Sequence, residues 1–303
     1  MDDILSDVLS ILSRSAGAAG IYILIGLGYN SIFSTTRVFN LAQGELSVVG
    51  AFLGLLLIDQ YGVPPVLALI VVAALIGLLA VLEEVIAVRP VLRGEAGAAA
   101  TERNIAWAIT TLAVGVILSS SAEVIAGPDP YPFPSLLPGR TIEIGDTVLN
   151  VPAVGIFVVA LLTAVALHLF YTRSLTGKAM TAIAEDAVAA NLRGINTKRL
   201  KTLSFAMAGM VAGMAAFFIA PLTYVFPSLG SGYSFKGFIA IAIGGMGNNA
   251  GALLGGVLLA LVEVLGSDVL GASYRDTVSI GFLLVVLLAF PRGLLGRRQE
   301  RIV

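Results

Sequence analysis

Nine long apolar runs follow one another along the chain, and this pattern leaves few folds open. The hydrocarbon core of a bilayer is about 30 Å thick, and a helix of roughly 20 apolar residues crosses it with every backbone group hydrogen-bonded inside the segment. Only 12% of the 303 residues are charged, whereas soluble domains carry about 25%. These features exclude an ordinary water-soluble enzyme and predict a polytopic membrane protein.

The runs are predicted to be helices, because the strands of a membrane barrel would alternate polar and apolar residues over about ten positions. They are 16–33, 41–58, 64–88, 105–126, 151–171, 202–220, 235–247, 252–266 and 276–290. The predicted fold is an all-α polytopic membrane protein with about eight or nine transmembrane helices, forming a single domain over residues 1–303. The acidic start, residues 1–15, lacks the basic region of a cleaved signal, and we expect it to form a short interfacial helix.

Basic residues are concentrated in alternate loops, and loops rich in lysine and arginine stay in the cytoplasm. Fourteen of the 18 basic residues follow the first, third, fifth and last runs. We therefore predict an external amino terminus, a cytoplasmic carboxyl terminus at Val303, an external loop at 127–150 and a cytoplasmic loop at 172–201. The external loop is rich in proline and ends in an alternating stretch, TIEIGDTVLN, which predicts a small hairpin with a Gly-Asp turn.

An external start and a cytoplasmic end require an odd number of crossings, so the short run 235–247 must also cross. A helix of this length spans only about 20 Å. The run either breaks beside the polar turn at Gly247 and lines a solvated cavity, or continues as a helix through Tyr233, Ser234 and Lys236. Glycine pairs four residues apart predict close packing elsewhere in the bundle. These pairs are Gly50/Gly54, Gly209/Gly213 and Gly251/Gly255.

Composition and motifs offer little for catalysis. The formal net charge of −1 argues against a nucleic-acid partner, because phosphate binding requires a basic face. With no cysteine and one histidine, the chain has no disulfide framework and no thiolate or multi-histidine metal site. No catalytic constellation is visible, so we expect that the chain is not an enzyme.

The loop after the fifth run carries a helical pattern although it is too polar to insert. Thr176–Glu185 is predicted to be a short helix, and Asp186 is a suitable N-cap for a second one. That second helix would end at Gly194, where a glycine with positive φ would terminate it. A simple solvated connection would need no such pattern and would usually be shorter. The helix pair therefore suggests docking onto a partner.

Four motifs resemble those of the permeases of branched-chain amino acid ABC transporters, the leucine/isoleucine/valine (Liv) type, and they occur in the same order along the chain. The resemblance extends over most of the chain. Asn40–Glu45 is similar to the family's Asn-Phe-Ala-His-Gly-Glu, and Gly244–Gly247 is similar to its Gly-Gly-Ile/Leu-Gly turn. Pro291–Gly296 is similar to its closing Pro-x-Gly-Leu-Phe/Leu-Gly. The family's cytoplasmic coupling loop is matched by four stretches: Thr176–Met180, Ala182–Asp186, Ala190 and Leu192–Asn196.

The resemblance implies a high-affinity importer in a bacterial or archaeal cytoplasmic membrane. Its partners would be a second permease chain, identical or a sister, two cytoplasmic ATPase subunits and an external solute-binding protein. No cofactor is expected in this chain, and ATP and Mg²⁺ would bind the ATPase subunits. The default cargo is a branched-chain or other hydrophobic amino acid, but members of this class also carry urea, short amides and aromatic or alicyclic carboxylates. Leu41 and Gln43 replace the family's phenylalanine and histidine, which leaves the solute open.

Two sets of site residues follow. The expected contacts with the ATPase are Thr176, Gly177, Lys178, Ala182, Glu185, Asp186, Ala190, Gly194 and Ile195. The expected translocation-path residues are Asn40, Gln43, Glu45, Gly244, Gly245, Gly247 and Gly251. A polar group facing lipid would cost a few kcal/mol, so these residues should face protein or a watery path. The alternative is that Asn40 and Gln43 cap a helix, Glu45 supports it through an ion pair and the glycines merely allow packing.

Two other classes of function remain open. An ion-coupled secondary transporter would be expected to carry carboxylates near mid-bilayer. The available carboxylates lie near helix ends: Glu45, Glu83, Glu84, Glu123 and Glu263. A purely structural membrane subunit fits the composition but leaves the helical cytoplasmic loop unexplained.

Overall fold

A computed structural model describes residues 2–94, 100–136, 139, 141–144 and 147–296 of the chain. Within these ranges the chain forms twelve α-helices and one two-stranded hairpin. The helices are α1 Asp2–Thr36, α2 Gln43–Leu55, α3 Pro65–Glu83, α4 Arg89–Gly94, α5 Ala100–Ala126, α6 Val151–Arg173, α7 Leu175–Glu185, α8 Ala187–Leu192, α9 Thr197–Thr223, α10 Leu229–Gly244, α11 Asn249–Leu270 and α12 Arg275–Ala289. The strands are β1 Thr141–Ile144 and β2 Thr147–Asn150.

All nine apolar runs are helical, which confirms the predicted all-α membrane fold. Seven helical segments in the described part of the chain are long and apolar enough to cross a membrane. The helices α2 and α10 are shorter, although α2 continues into a π-helical turn at Leu56–Gln60. The expected short interfacial helix at the amino terminus is wrong, because the helix that begins at Asp2 continues without interruption to Thr36.

The helix α10 corrects one of the two interpretations of the short run 235–247. It is continuous over 16 residues, about 24 Å at 1.5 Å per residue. It begins at Leu229 and includes Tyr233, Ser234 and Lys236, so the helix continues through these polar residues as the second interpretation holds. The last three residues of the run, 245–247, lie outside α10 in the turn before α11. The polar side chains at the start of α10 concealed this beginning in the sequence.

The predicted hairpin is also confirmed. Strands β1 and β2 pair antiparallel, with Ile144 opposite Thr147. The predicted Gly-Asp turn at 145–146 lies outside the described residues, as does Val303 at the predicted cytoplasmic end. Before the hairpin, the described residues 127–136 of the proline-rich stretch are not helical, in agreement with the helix-breaking effect of proline.

The chain divides into two compact units. The α9 unit contains Leu27–Leu136 and His168–Phe235, and the α11 unit contains Met1–Gly26, Leu137–Leu167 and Lys236–Val303. Both units draw on separated stretches of sequence, and the single domain over residues 1–303 stays a prediction.

In the α9 unit, α9 is the central helix and packs against α2 and α3. Its glycine pair allows a close approach, because a Cβ at Gly209 would lie 2.6 Å from the Cβ of Ala80 and one at Gly213 would lie 2.9 Å from the Cα of Ala73. Large apolar side chains such as Phe217 fill the remaining space. The predicted packing role of this glycine pair is therefore confirmed.

In the α11 unit, α11 packs against α12, and glycines again set the separation. A Cβ at Gly256 would lie 2.6 Å from Ile23, and one at Gly266 would lie 2.7 Å from Val278. Many large apolar side chains elsewhere point outward, among them Val124 and Leu288, which are 86% and 83% exposed. Such a surface is unfavourable in water and suits contact with lipid.

Candidate functional site

The turn before α2 is built around Asn40, one of the predicted path residues. Its side-chain oxygen accepts a hydrogen bond from the backbone nitrogen of Ala42 at 2.9 Å. Its side-chain nitrogen donates to Oε2 of Glu83 at 2.7 Å. Asn40 therefore shapes the entry into α2, as an Asx-type turn does, and also ties that entry to the end of α3.

Gln43, the first residue of α2, is fully buried. Its side-chain nitrogen donates to the backbone oxygen of Ala208 in α9 at 3.0 Å. A Cβ at Gly28 would lie 2.8 Å from the Cδ of Gln43, so α1 covers this side chain closely. Its Oε1 has no hydrogen-bond partner among the described residues. Because buried amide oxygens are normally paired, this atom could accept a hydrogen bond from an outside donor.

Two buried carboxyl groups belong to the same region of the α9 unit. Glu45 and Glu83 are 8% and 6% exposed. Oε2 of Glu45 and Oε1 of Glu83 lack hydrogen-bond partners within the described ranges. A buried, ionised carboxylate without a cation is costly, so the two groups are suited to a positively charged hydrogen-bond donor.

Glu83 is a functional candidate that the motif pattern does not reveal. Its hydrogen bond with Asn40 joins residues 43 positions apart, and such a pairing leaves no local signal in one sequence. The neighbouring Glu84 differs, because it forms an ion pair with Arg89 and accepts a hydrogen bond from Thr202 at 3.1 Å. Glu123 is exposed. Burial without a cationic partner therefore separates Glu45 and Glu83 from these two carboxylates.

A small apolar cavity adjoins Gly44 in α2 and lies between α2, α9 and α10. Its free space is about 10 Å³, roughly one water molecule. Small residues form much of its wall, including Ser47, Ala51, Ala220 and Gly230. Its position beside the start of α2 places it in the same region as Gln43 and Glu45.

The predicted path glycines lie in the α11 unit, where close packing explains three of them. Gly244 and Gly251 are buried and their backbones abut, so a side chain at either position would overlap the other. The backbone nitrogen of Leu295 donates to the carbonyl of Gly244 at 2.9 Å. Gly245 has a φ of +109°, and a Cβ there would lie 2.6 Å from the backbone nitrogen of Gly296.

Gly247 differs from the other three because it is exposed, although its φ of +82° also favours glycine. The contacts of Gly244, Gly245 and Gly251 join the end of α10 to α11 and to the closing Pro-Arg-Gly-Leu-Leu-Gly motif. Their part in a translocation path stays a prediction.

The cytoplasmic loop has the predicted helix pair. The Ser174 hydroxyl caps α7 by accepting a hydrogen bond from the nitrogen of Gly177 at 2.8 Å. The carboxylate of Asp186 caps α8 by accepting from the nitrogens of Val188 and Ala189, both at 2.9 Å. Gly194 follows α8 with a φ of +82°. The predicted helices, the cap and the terminating glycine are therefore confirmed.

Within this loop, some predicted coupling residues support the helices and others face outward. Gly177 is buried against Phe170 and Tyr171, where a Cβ would overlap the backbone. Ala190 is also buried, and its carbonyl accepts a hydrogen bond from the nitrogen of Ile195 at 3.1 Å. Thr176, Lys178, Glu185, Asp186 and Gly194 are exposed, and Ala182 and Ile195 are partly exposed.

Three exposed apolar residues on the same loop were missing from the predicted site. Leu175, Val188 and Leu192 are 86%, 72% and 84% exposed. Their helices are too short and too polar to lie within a bilayer, so these side chains are left for a protein surface or water. The sequence signal that could have identified them is an apolar residue that lies outside the buried face of its helix, which in α7 contains Met180 and Ile183.

The α11 unit contains a separate buried charge network, whose partners lie too far apart in the sequence to leave a local signal. Lys236 in α10 forms an ion pair with the fully buried Glu263 in α11 and donates to the hydroxyl of Ser279 at 2.9 Å. Glu263 also accepts hydrogen bonds from Ser279 and, at 2.6 Å, from Tyr22. The exposed Asp276 lies 2.8 Å from Lys236. This network links α1, α10, α11 and α12 within the unit.

A family model matches most of the chain. The family is described as the branched-chain amino acid transport system permease component, and its model covers residues 11–288. No solved structure matches this chain. Within the described residues, no group of three or more histidine, cysteine, aspartate or glutamate side chains is arranged to hold a metal ion.

Curated proteins of the same kind are similar over nearly the full length. BraD of Pseudomonas aeruginosa, a high-affinity branched-chain amino acid transport system permease protein, is 32% identical over 92% of both chains. LivH of Escherichia coli, with the same description, is 30% identical over 92% of both chains. LivM of Escherichia coli is 28% identical over 93% of this chain and 69% of its own.

Proposed function

The chain belongs to the permease components of branched-chain amino acid transport systems, and we propose that it forms half of the translocation path of an ATP-binding-cassette importer. The observation that carries this proposal is the family match over residues 11–288, and the resemblance predicted from its four motifs is confirmed. The seven long apolar helices agree with a membrane location. The chain itself is a transport permease subunit.

The proposed partners are two cytoplasmic ATPase subunits, an external solute-binding protein and a second permease chain. The chain resembles both LivH and LivM, two permease proteins of one organism. This double similarity supports a sister chain as the second permease, with a homodimer as the alternative. ATP and Mg²⁺ would be held by the ATPase subunits, and this chain would contribute no residue to the hydrolysis.

The proposed coupling surface consists of the exposed residues of α7 and α8. Leu175, Val188 and Leu192 would supply apolar contacts, and Lys178 and Glu185 would supply charged ones around them. A small apolar centre with a polar rim is typical of protein interfaces. Closure of the ATPase pair would push on this surface, and the bundle would convert the push into alternating access.

The proposed cargo is a branched-chain or other hydrophobic amino acid. The names of the relatives support it, and so does the chemistry at the start of α2. The free oxygens of Gln43, Glu45 and Glu83 are acceptors that suit an ammonium group, while the adjoining cavity is apolar. Urea and short amides could donate to the same oxygens but offer no side chain for an apolar site. Aromatic and alicyclic carboxylates have no ammonium group to donate to these oxygens.

We also propose the orientation that the basic loops predict, with the amino terminus outside and the carboxyl terminus in the cytoplasm. In this orientation the hairpin β1–β2 faces the solute-binding protein, and α7 and α8 face the ATPase subunits. The membrane would be the cytoplasmic membrane of a bacterium or archaeon.

Uptake by the complete transporter complex in proteoliposomes tests the cargo. The complex is oriented with its cytoplasmic side, and therefore the ATP, inside the vesicle. Radiolabelled leucine, isoleucine and valine added outside should then enter the vesicle. Urea, acetamide and benzoate serve as competitors of the three rival classes. Competition by urea, acetamide or benzoate, with no effect of unlabelled valine, would contradict the amino-acid assignment.

One observation favours a second candidate, an ion-coupled transporter working alone. The buried carboxyl groups of Glu45 and Glu83 lack cationic partners in the described part of the chain, and such groups are typical of proton and cation pathways. The two candidates differ in their energy source. An ion-coupled transporter requires a gradient, whereas the proposed importer requires ATP hydrolysis by a partner.

A further inference from the structure

Arg37 stands where α1 ends, and its backbone is in a conformation that favours glycine. Its φ is +59°, a region that residues with a Cβ seldom occupy. Such an outlier persists only where the surrounding structure holds it, and it often marks a functional position. The contacts of the Arg37 side chain are therefore the first place to look for a function.

The guanidinium group of Arg37 contacts the coupling helix α7. Its Nε donates a hydrogen bond to the backbone oxygen of Ala184 at 3.2 Å. Ala184 lies in the last turn of α7, where carbonyl groups have no partner inside the helix and attract a positive charge. The Cζ of Arg37 also lies 5.3 Å from the ring centre of Phe33, a distance typical of a cation–π contact.

Beyond Arg37, the chain passes directly into the buried polar region at the start of α2. The ring of Phe33 stacks on that of Phe39 with centres 4.6 Å apart. Phe39 is followed by Asn40, which donates to Glu83. These contacts form a continuous path from the end of α7, through Arg37 and the stacked rings, to the acceptor groups beside Gln43.

The contact between Arg37 and Ala184 is expected to contribute little to the stability of the folded chain. The hydrogen bond is exposed to solvent, and exposed charged contacts contribute little to the free energy of unfolding. Glycine at position 37 would adopt the observed φ without strain. Glycine would therefore serve the fold at position 37, and the contact of the arginine side chain with α7 needs a reason other than stability.

We propose that Arg37 is a positioning residue that transmits movement of α7 to the start of α2, and thereby couples ATPase closure to the path. This inference rests on the proposed function, because only an ATP-driven importer needs such transmission. A second contact joins neighbouring parts of the molecule, since the Tyr171 hydroxyl donates to the backbone oxygen of Ser31 at 3.2 Å. That bond ties α6 to α1 without involving α7, and it provides a matched control.

The test measures solute transported per ATP hydrolysed by the complete complex in proteoliposomes, for Arg37→Gly, Arg37→Lys and Tyr171→Phe. Arg37→Gly should lower this ratio about fivefold, the lower end of typical allosteric couplings, while the midpoint of thermal unfolding stays within about 2 °C. Arg37→Lys should retain more than half of the ratio, because its ammonium can also donate to the Ala184 carbonyl. Tyr171→Phe should leave the ratio unchanged.

An unchanged ratio in Arg37→Gly would overturn the proposal. An equal loss in Arg37→Lys and Arg37→Gly would also overturn it, because donation to the Ala184 carbonyl would then not be the cause. A loss in Tyr171→Phe as large as that in Arg37→Gly would overturn the assignment to Arg37, since any loosened contact at α1 would suffice. Absence of ATP-dependent uptake by the wild-type complex would instead refute the proposed function.

Discussion

Replacing Lys236 by methionine would remove the cation from the buried network of the α11 unit. Methionine keeps a flexible, unbranched side chain but cannot pair with Glu263 or donate to Ser279. The carboxylate of Glu263 is fully buried, and it would keep hydrogen bonds from Tyr22 and Ser279. Arg275 would remain close by, since its Nε lies 3.7 Å from Oε2 of Glu263.

The expected loss follows from this geometry. Removing one partner of a buried ion pair costs about 3–5 kcal/mol, because the other charge stays buried and unpaired. The surviving donors and the nearby Arg275 place the expected loss for Lys236→Met at the lower end, about 3 kcal/mol. Asp276→Asn is a matched control on the same lysine, because Asp276 is 84% exposed and an exposed pair contributes about 1 kcal/mol or less.

Thermal unfolding of the purified chain in detergent, followed by circular dichroism, measures the difference. At about 2 °C per kcal/mol, Lys236→Met should lower the midpoint by about 6 °C and Asp276→Asn by about 2 °C or less. The double variant Lys236→Met with Glu263→Leu should recover much of the loss, because it removes the unpaired charge. Equal midpoints for Lys236→Met and Asp276→Asn would refute the reasoning.

Three further predictions concern packing, coupling and orientation. Gly209→Ala should destabilise the chain by about 1–3 kcal/mol through overpacking, whereas Gly281→Ala, with no atom within 4 Å of the new Cβ, should stabilise it by about 0.5–1 kcal/mol; equal midpoints of thermal unfolding would contradict the close approach of α3 and α9. Leu192→Glu should leave that midpoint unchanged but reduce co-purification of the ATPase subunits, and full co-purification with normal uptake would exclude this residue from the coupling surface. A single cysteine replacing Pro134 should react with an impermeant thiol reagent from outside the cell, and labelling only from the cytoplasmic side would contradict the orientation.

Local sequence signals predicted the elements whose ends are fixed by their own residues. The cap at Asp186 and the terminating Gly194 of the cytoplasmic loop are examples, because Asp186 bonds to nitrogens two and three positions on. The hairpin is another, since its two paired strands lie within ten residues. In these cases the energy that selects the structure comes from neighbours in the sequence.

The start of α10 stayed open between two interpretations of the sequence, because the partners of its polar residues lie in distant parts of the chain. Ser234 accepts a hydrogen bond from the nitrogen of Gly44, 190 residues away, and Lys236 pairs with Glu263. In the sequence alone, these two polar residues look like the boundary of an apolar run. The hydrogen bond of Asn40 with Glu83 escaped prediction for the same reason, and it adds Glu83 to the candidate site.

The resemblance of motifs could not separate packing from transport at the glycines. Gly244 and Gly251 fit either role in the sequence, and their backbone contact accounts for both without a solute. The acceptor groups at the start of α2 are different, because no packing argument explains the free oxygens of Gln43, Glu45 and Glu83. The α9 unit therefore holds the stronger candidates for solute contact.

The most direct test of the central claim compares valine uptake by two versions of the complete complex in proteoliposomes, both containing this chain in its wild-type form. One version carries active ATPase subunits, and the other carries subunits altered to bind ATP without hydrolysing it. Uptake should occur with the active ATPase, without any ion gradient, and fall to background with the inactive one. Equal uptake by both versions, driven by a proton or sodium gradient, would contradict the account and identify an ion-coupled transporter.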